Sequence, residues 1–153
     1  MTQTPDINPP VRLLATFADA FPNTTPTLVL PAPGRDLWVA AGLNGSQRYA
    51  VRALELDAAA VFSRQSAKRG ETVLRRPLPR WARYVSGVVL TLEDIDVPGL
   101  DALICGDEPL GPRYEYALGV LFAALWHHIA EAEVSASHLI EIVDRVQREY
   151  LGA

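Results

Sequence analysis

Residues Arg113 to Glu131 constrain this chain more than any other stretch. Ala117, Leu118, Val120, Leu121, Phe122 and Leu125 leave almost no polar face at helical spacing, so the pattern predicts a central helix, wrapped on nearly every side. The longest nearly apolar run, Tyr116–Trp126, is too short for the roughly 20 residues a bilayer requires. Such a helix needs other elements to cover it, and its neighbours supply them. Over Pro79–Asp94, the residues Trp81, Tyr84, Val85, Val88, Val89 and Leu92 follow i, i+3, i+4, i+7, i+8, i+11 and predict a helix with one apolar face. Ser135 or Ser137 is placed to cap a last helix, with Leu139, Val143, Val146 and Tyr150 inward.

The first half reads differently. After a proline-rich lead-in (1–10), expected to be flexible, Val11–Phe21 carries Leu13, Leu14, Phe17 and Phe21 at helical spacing. Short strands are expected at Thr27–Leu30, Leu37–Ala41, Tyr49–Leu56, Ala59–Arg64, Glu71–Arg75 and Leu103–Cys105. Asn44-Gly45 is a hairpin signal, because both central residues of a type I′ turn need positive φ. Strands first and helices later predict a two-layer α/β (α+β) sandwich: one mixed sheet with helices on one face, in a single domain over 11–153.

Composition excludes several classes. With 153 residues, 49% hydrophobic and 21% charged, the chain is long and apolar enough for one core. The single cysteine, Cys105, excludes an internal disulfide framework and a multi-cysteine zinc site, and its apolar surroundings suggest an inert buried thiol. The first twelve residues lack an apolar core, so no signal peptide is expected, and a soluble cytoplasmic protein is.

The net charge of −4 is unevenly spread. Arg64, Lys68, Arg69, Arg75, Arg76, Arg80 and Arg83 face only Glu71, a local balance of +6, whereas the chain from Tyr84 onward carries −9. No interleaved aromatic pattern accompanies the basic stretch, so it reads as a solvated surface facing the acidic half rather than a nucleic-acid site. His127 and His128 are adjacent and point to different helix faces, and His138 has no ligand at i±4, so no metal is expected; the pair reads as a surface helix end.

Four segments, in order, resemble the N-terminal half of galactokinase, of the GHMP small-molecule kinase family. Ala32-Pro33-Gly34-Arg35 is similar to its A-P-G-R, and Trp81-x-x-Tyr84-Val85-x-Gly87-Val88 to its W-x-x-Y-V-x-G-V helix. Gly106-Asp107-Glu108-Pro109-Leu110-Gly111 is similar to G-D-V-P-I-G, and Glu149-Tyr150-Leu151-Gly152 to an E-x-x-x-G helix end. The resemblance spans roughly residues 13–153 and implies an α/β sandwich with an unusual left-handed crossover.

The resemblance lapses where chemistry is expected. The family's sugar-holding Glu, His and Asp fall on Ala41, Gly42 and Asn44; only Asn44 can bond a hydroxyl, and beside Gly45 it reads first as a turn residue. The family's phosphate loop, G-x-G-L-S-S-S-A, becomes Gly111-Pro112-Arg113-Tyr114-Glu115-Tyr116-Ala117-Leu118. Pro112 lacks an N–H, and Arg113 adds a side chain where the family has glycine. Glu115 replaces a serine, and a carboxylate about 4 Å from a phosphate charge costs about 1–4 kcal/mol. Arg35 matches an arginine beside the transferred phosphate; here it serves either a residual anion or an ion pair with Asp36 or Asp107. The family's catalytic aspartate and second domain correspond to nothing within these 153 residues.

Together these readings imply a truncated, degenerate galactokinase-like domain without cofactor, a binding or regulatory module. Arg35, Asn44 and Arg113 are its candidate anion or sugar contacts. A homodimer or protein partner is expected, because the family's second domain covers a face that must otherwise be buried. The alternative is a fragment or split half of a sugar kinase, which needs ATP and magnesium.

Overall fold

The computed structural model describes residues 10–32 and 34–151. The lead-in over 1–9, Pro33 of the A-P-G-R segment and Gly152 of the helix-end segment lie outside them. The chain runs α1 (Val11–Ala20), β1 (Leu28–Pro31), β2 (Trp38–Leu43), β3 (Arg48–Ala53), β4 (Ala58–Ser63), α2 (Arg64–Lys68), α3 (Arg80–Thr91), β5 (Leu100–Cys105), α4 (Pro112–Ile129) and α5 (Ala136–Tyr150). The strands form one mixed sheet in the order β1-β2-β5-β3-β4. Only β3 and β5 are parallel; the remaining neighbours are antiparallel.

Alternation along β2 divides the interior. Val39 and Ala41 join Val51, Ala102 and Ile104 against the helix layer of α3, α4 and α5, the main core. Trp38 and Ala40 point the other way, where Leu103 and Cys105 meet Leu13 and Phe17 of α1 in a second cluster. The helix layer on one face is as expected, and α1 adds a smaller cover to the other. In α4, Leu118, Leu121, Phe122, Leu125 and Trp126 are all buried, as the nearly continuous apolar pattern requires. Ser135, not Ser137, caps α5, accepting from the His138 N–H at 3.1 Å.

Two expectations fail for tertiary reasons. Asn44-Gly45 does not close a hairpin, because β5 lies between β2 and β3 and takes the hydrogen-bonding edge of each. Gly45 has φ +70° as the turn signal demands, but the four-residue link instead steps over the start of β5. Gly99 makes that crossing possible: a Cβ there would lie 2.3 Å from the Ser46 carbonyl oxygen. The expected strand Glu71–Arg75 is also absent. The Thr72 hydroxyl accepts from the Leu74 and Arg76 N–H groups at 3.3 Å, folding the segment into a local turn with one bridge, Glu71 to Pro77. In addition, α2 begins where β4 ends, through a reciprocal Ser63–Ser66 cap that sequence periodicity did not reveal.

Candidate functional site

The junction between β5 and α4 carries the segment where the family resemblance places a phosphate loop. Antiparallel pairing sets Cys105 opposite Trp38, so the loop after β5 emerges beside the segment leading into β2. Gly106 is required at this contact, since a Cβ would lie 2.2 Å from the Asp36 carbonyl oxygen. Its N–H donates to Glu55 Oε1 at 2.7 Å, and the Glu108 N–H donates to the Asp36 carbonyl at 2.9 Å. Those bonds bring Arg35 and Glu108 together: Arg35 Nη1 lies 3.0 Å from Glu108 Oε1. The partner is thus Glu108, neither Asp36 nor Asp107.

At the helix start, Gly111 occupies the N-cap with φ +139°, and Pro112 supplies the first turn. Glu115 stands in that turn, where its charge suits the helix dipole. Arg80 Nε, at the start of α3, lies 3.1 Å from Glu115 Oε1 and ties the two helices. Arg113 is exposed and has no ion pair among the described residues. Tyr114 turns fully inward, and its hydroxyl has no hydrogen-bond partner there. Burial pushes its phenol strongly upward, with Glu55 and Cys105 adding to the shift. Tyr116 Oη donates to Asp144 Oδ1 at 2.9 Å, bonding α4 to α5, and burial followed by that bond pushes its phenol up to about 12.

Asn44 sits at the opposite end of β2 from Arg35. Six strand residues separate those ends, about 20 Å at 3.3 Å per residue. There its Nδ2 donates to the Arg48 carbonyl at 3.2 Å and to Asp101 Oδ1 at 3.1 Å, while Oδ1 accepts from Ser46 N and Oγ. Thr24 Oγ1 donates to the same Asp101 carboxylate. Asn44 therefore braces the β2–β3 link, and the structure does not join it to Arg35 and the β5–α4 loop. Ala41 is buried in the sheet, and Gly42 packs so closely that a Cβ would lie 2.2 Å from the Thr25 carbonyl oxygen.

Cys105 is buried, and burial raises its thiol, Glu55 adding to the effect and Arg12 opposing it. His127 departs from its surface reading. It is buried, with Nδ1 2.7 Å from the Ala123 carbonyl oxygen and its ring edge-on to His138 at 6.0 Å. No group of three metal-ligating side chains is present among the described residues. No described helix is long and apolar enough to cross a membrane.

Beside Arg35, a cavity of about 280 Å³ opens between α4 and α5, lined by Tyr116, Val120, Leu139 and Ile140. The sheet order, the loop after β5 and the helix layer together decide what this architecture resembles. A galactokinase from Lactococcus lactis, solved with galactose, superposes with a TM-score of 0.70 over 93% of this chain at 16% identity. The fold is that of the GHMP kinases. A mevalonate kinase matches with a TM-score of 0.58 over 77% of the chain at 9% identity. The Methanococcus jannaschii mevalonate kinase gives 0.57 over 76% at 8%. This chain spans less than half of each, 42% of the galactokinase and 38% and 37% of the mevalonate kinases. No protein-family model matches the chain, and no curated protein does.

Sequence reasoning singled out Glu115 but missed Glu108, the carboxylate that pairs with Arg35. Glu108 reads as an ordinary position within G-D-x-P-x-G, and its partner Arg35 lies 73 residues away. The replacement of a family valine by a carboxylate was the available signal.

Proposed function

We propose that this domain is a galactokinase-like binding module that does not transfer phosphate. The observation that carries the reading is the Arg35–Glu108 pair at 3.0 Å. A carboxylate of the chain itself occupies the guanidinium that the family resemblance assigns to a substrate phosphate. Glu115 supports the reading from the other side. Its carboxylate, held by Arg80 at 3.1 Å, stands in the first turn of α4 where the family resemblance places a serine, so an incoming phosphate meets an acceptor in place of a hydroxyl donor. Pro112 removes one of the N–H groups that such a loop uses.

What the module binds is a small anion near exposed Arg113 or a protein surface. The apolar opening between α4 and α5 favours the second, because Ile140 is 47% exposed beside it. A second copy of the chain is the simplest occupant, giving a twofold dimer through one self-complementary surface. Sedimentation at micromolar concentration tests this, with a dimer expected and a clean monomer opposing it.

One observation favours a second reading: the chain spans 42% of the galactokinase it resembles, so a separate segment could complete a sugar kinase that uses ATP and magnesium. Incubation of the purified protein, alone and mixed with the C-terminal part of a galactokinase, with galactose and magnesium-ATP separates the readings. The module produces no sugar phosphate; protein-dependent galactose 1-phosphate, abolished in Arg35→Ala, supports the kinase.

A further inference from the structure

We propose a phosphoryl-binding pocket between α2, α3 and α5, separate from the β5–α4 junction. The basic stretch Arg64–Arg83 does not simply pair with the acidic half. Among the described residues, Arg69 meets Glu71 at 3.2 Å and Arg80 meets Glu115 at 3.1 Å, while the other five basic residues of the stretch have no ion pair. Three of the seven converge: Lys68, Arg69 and Arg83 line one cavity of about 270 Å³.

Arg83 gives the cavity its specificity. Its Nε is shielded from solvent and has no hydrogen-bond partner among the described residues. An unpaired buried donor is costly, and on a charged group more so. The guanidinium lies against Gly70, where a Cβ would stand 3.9 Å from Nη2, and Gly70 holds φ +68° to turn the chain around it. Glu149 is the carboxylate on the rim, and both its oxygens accept from Arg145 Nε at 3.1 Å. The cavity is therefore left with excess positive charge, since two of its three basic side chains, Lys68 and Arg83, have no ion pair among the described residues.

A dianion of tetrahedral shape fits this arrangement. A phosphate accepts several charge-assisted bonds at once, and a guanidinium fork suits it better than it suits a single monocarboxylate. A nucleic-acid backbone fits poorly. The site is a concave pocket rather than a flat track, and the Tyr150 ring packs within 3.3 Å of the Gly87 Cβ position, leaving it poorly placed for base stacking. The ligand class is a free phosphate or a small phosphomonoester.

The experiment is a titration of the whole chain with inorganic phosphate, then glycerol phosphate, following the Arg83 Nε–H and Gly70 amide resonances. Saturable shifts at both are expected, and the tighter of the two ligands tells free phosphate from ester. Arg83→Gln and Lys68→Gln should each weaken binding about ten- to hundredfold, the range of one charged hydrogen bond. Arg76→Gln removes the same charge outside the pocket and should leave affinity within about twofold. Lys68 is exposed, so its variant keeps the test intact if Arg83→Gln does not fold. Absence of saturable shifts overturns the proposal. So does an equal loss in Arg76→Gln, or oligonucleotide binding that depends equally on Arg75 and Arg76, since each marks a diffuse basic surface.

Discussion

Arg35 and Glu108 form an ion pair whose two members are unequally covered: the arginine side chain is 40% exposed and the glutamate 9%. The contact closes the loop after β5 onto the segment before β2. Losing one partner is therefore not equivalent to losing the other.

Arg35→Ala strands a covered carboxylate and should cost about 1–3 kcal/mol. Glu108→Gln leaves an arginine that water can reach and should cost about 0–1 kcal/mol. Urea denaturation of both variants checks the asymmetry; equal losses would contradict it.

Gly87 explains why the W-x-x-Y-V-x-G-V helix needs its glycine here. A Cβ at Gly87 would lie 2.4 Å from Val146 Cγ1, where α3 crosses α5. Alanine gains about 1 kcal/mol of helix propensity, but overpacking of this kind costs about 1–3 kcal/mol. Gly87→Ala should therefore lower the denaturation midpoint, and an unchanged or raised midpoint would show that the helices part freely.

The Tyr116–Asp144 bond predicts a specific alkaline limb. The Tyr116 phenol is raised from 10.0 to about 12, chiefly by burial and then by Asp144. Its contribution to stability is complete below pH 10 and is lost as pH rises through about 12. Tyr116→Phe should cost about 0.5–1.5 kcal/mol at neutral pH and soften the loss of stability across that range. Burial also raises Tyr49 and Tyr114, so some alkaline loss remains. A variant as sensitive to alkali as the parent would remove Tyr116 from the account.

Asn44→Ala should destabilise the chain by about 1–2 kcal/mol, because the side chain braces Ser46, Arg48 and Asp101. Calorimetry measures the loss. The amide resonances of Arg35 and Glu108 should be unchanged in the variant, and shifts there would join two sites that the sheet holds apart.

What the sequence made legible follows the range of the forces involved. The faces of α3 and α5 repeat every three or four residues, so Trp81, Val85, Leu139 and Val143 could be read locally. The insertion of β5 between β2 and β3 depends on pairing residues nearly 60 positions apart, such as Leu43 with Leu100, and no local pattern encodes it. Asn44-Gly45 was misread for that reason: the turn chemistry is present, but the edges it would pair are occupied. Glu115 announced its effect through its position at a helix start. Glu108 did not, because its meaning rests on a guanidinium brought close only by the sheet.

The central claim is that the β5–α4 junction supplies its own negative charge and does not receive a nucleotide phosphate. It is tested most directly by titrating magnesium-ATP into the Lys68→Gln variant while following the Gly106, Gly111 and Glu115 amide resonances. That background weakens the basic pocket, so the response reports on the junction. The account predicts no saturable change at these three amides up to millimolar nucleotide; a saturable shift centred on Gly111 and Glu115 would contradict it.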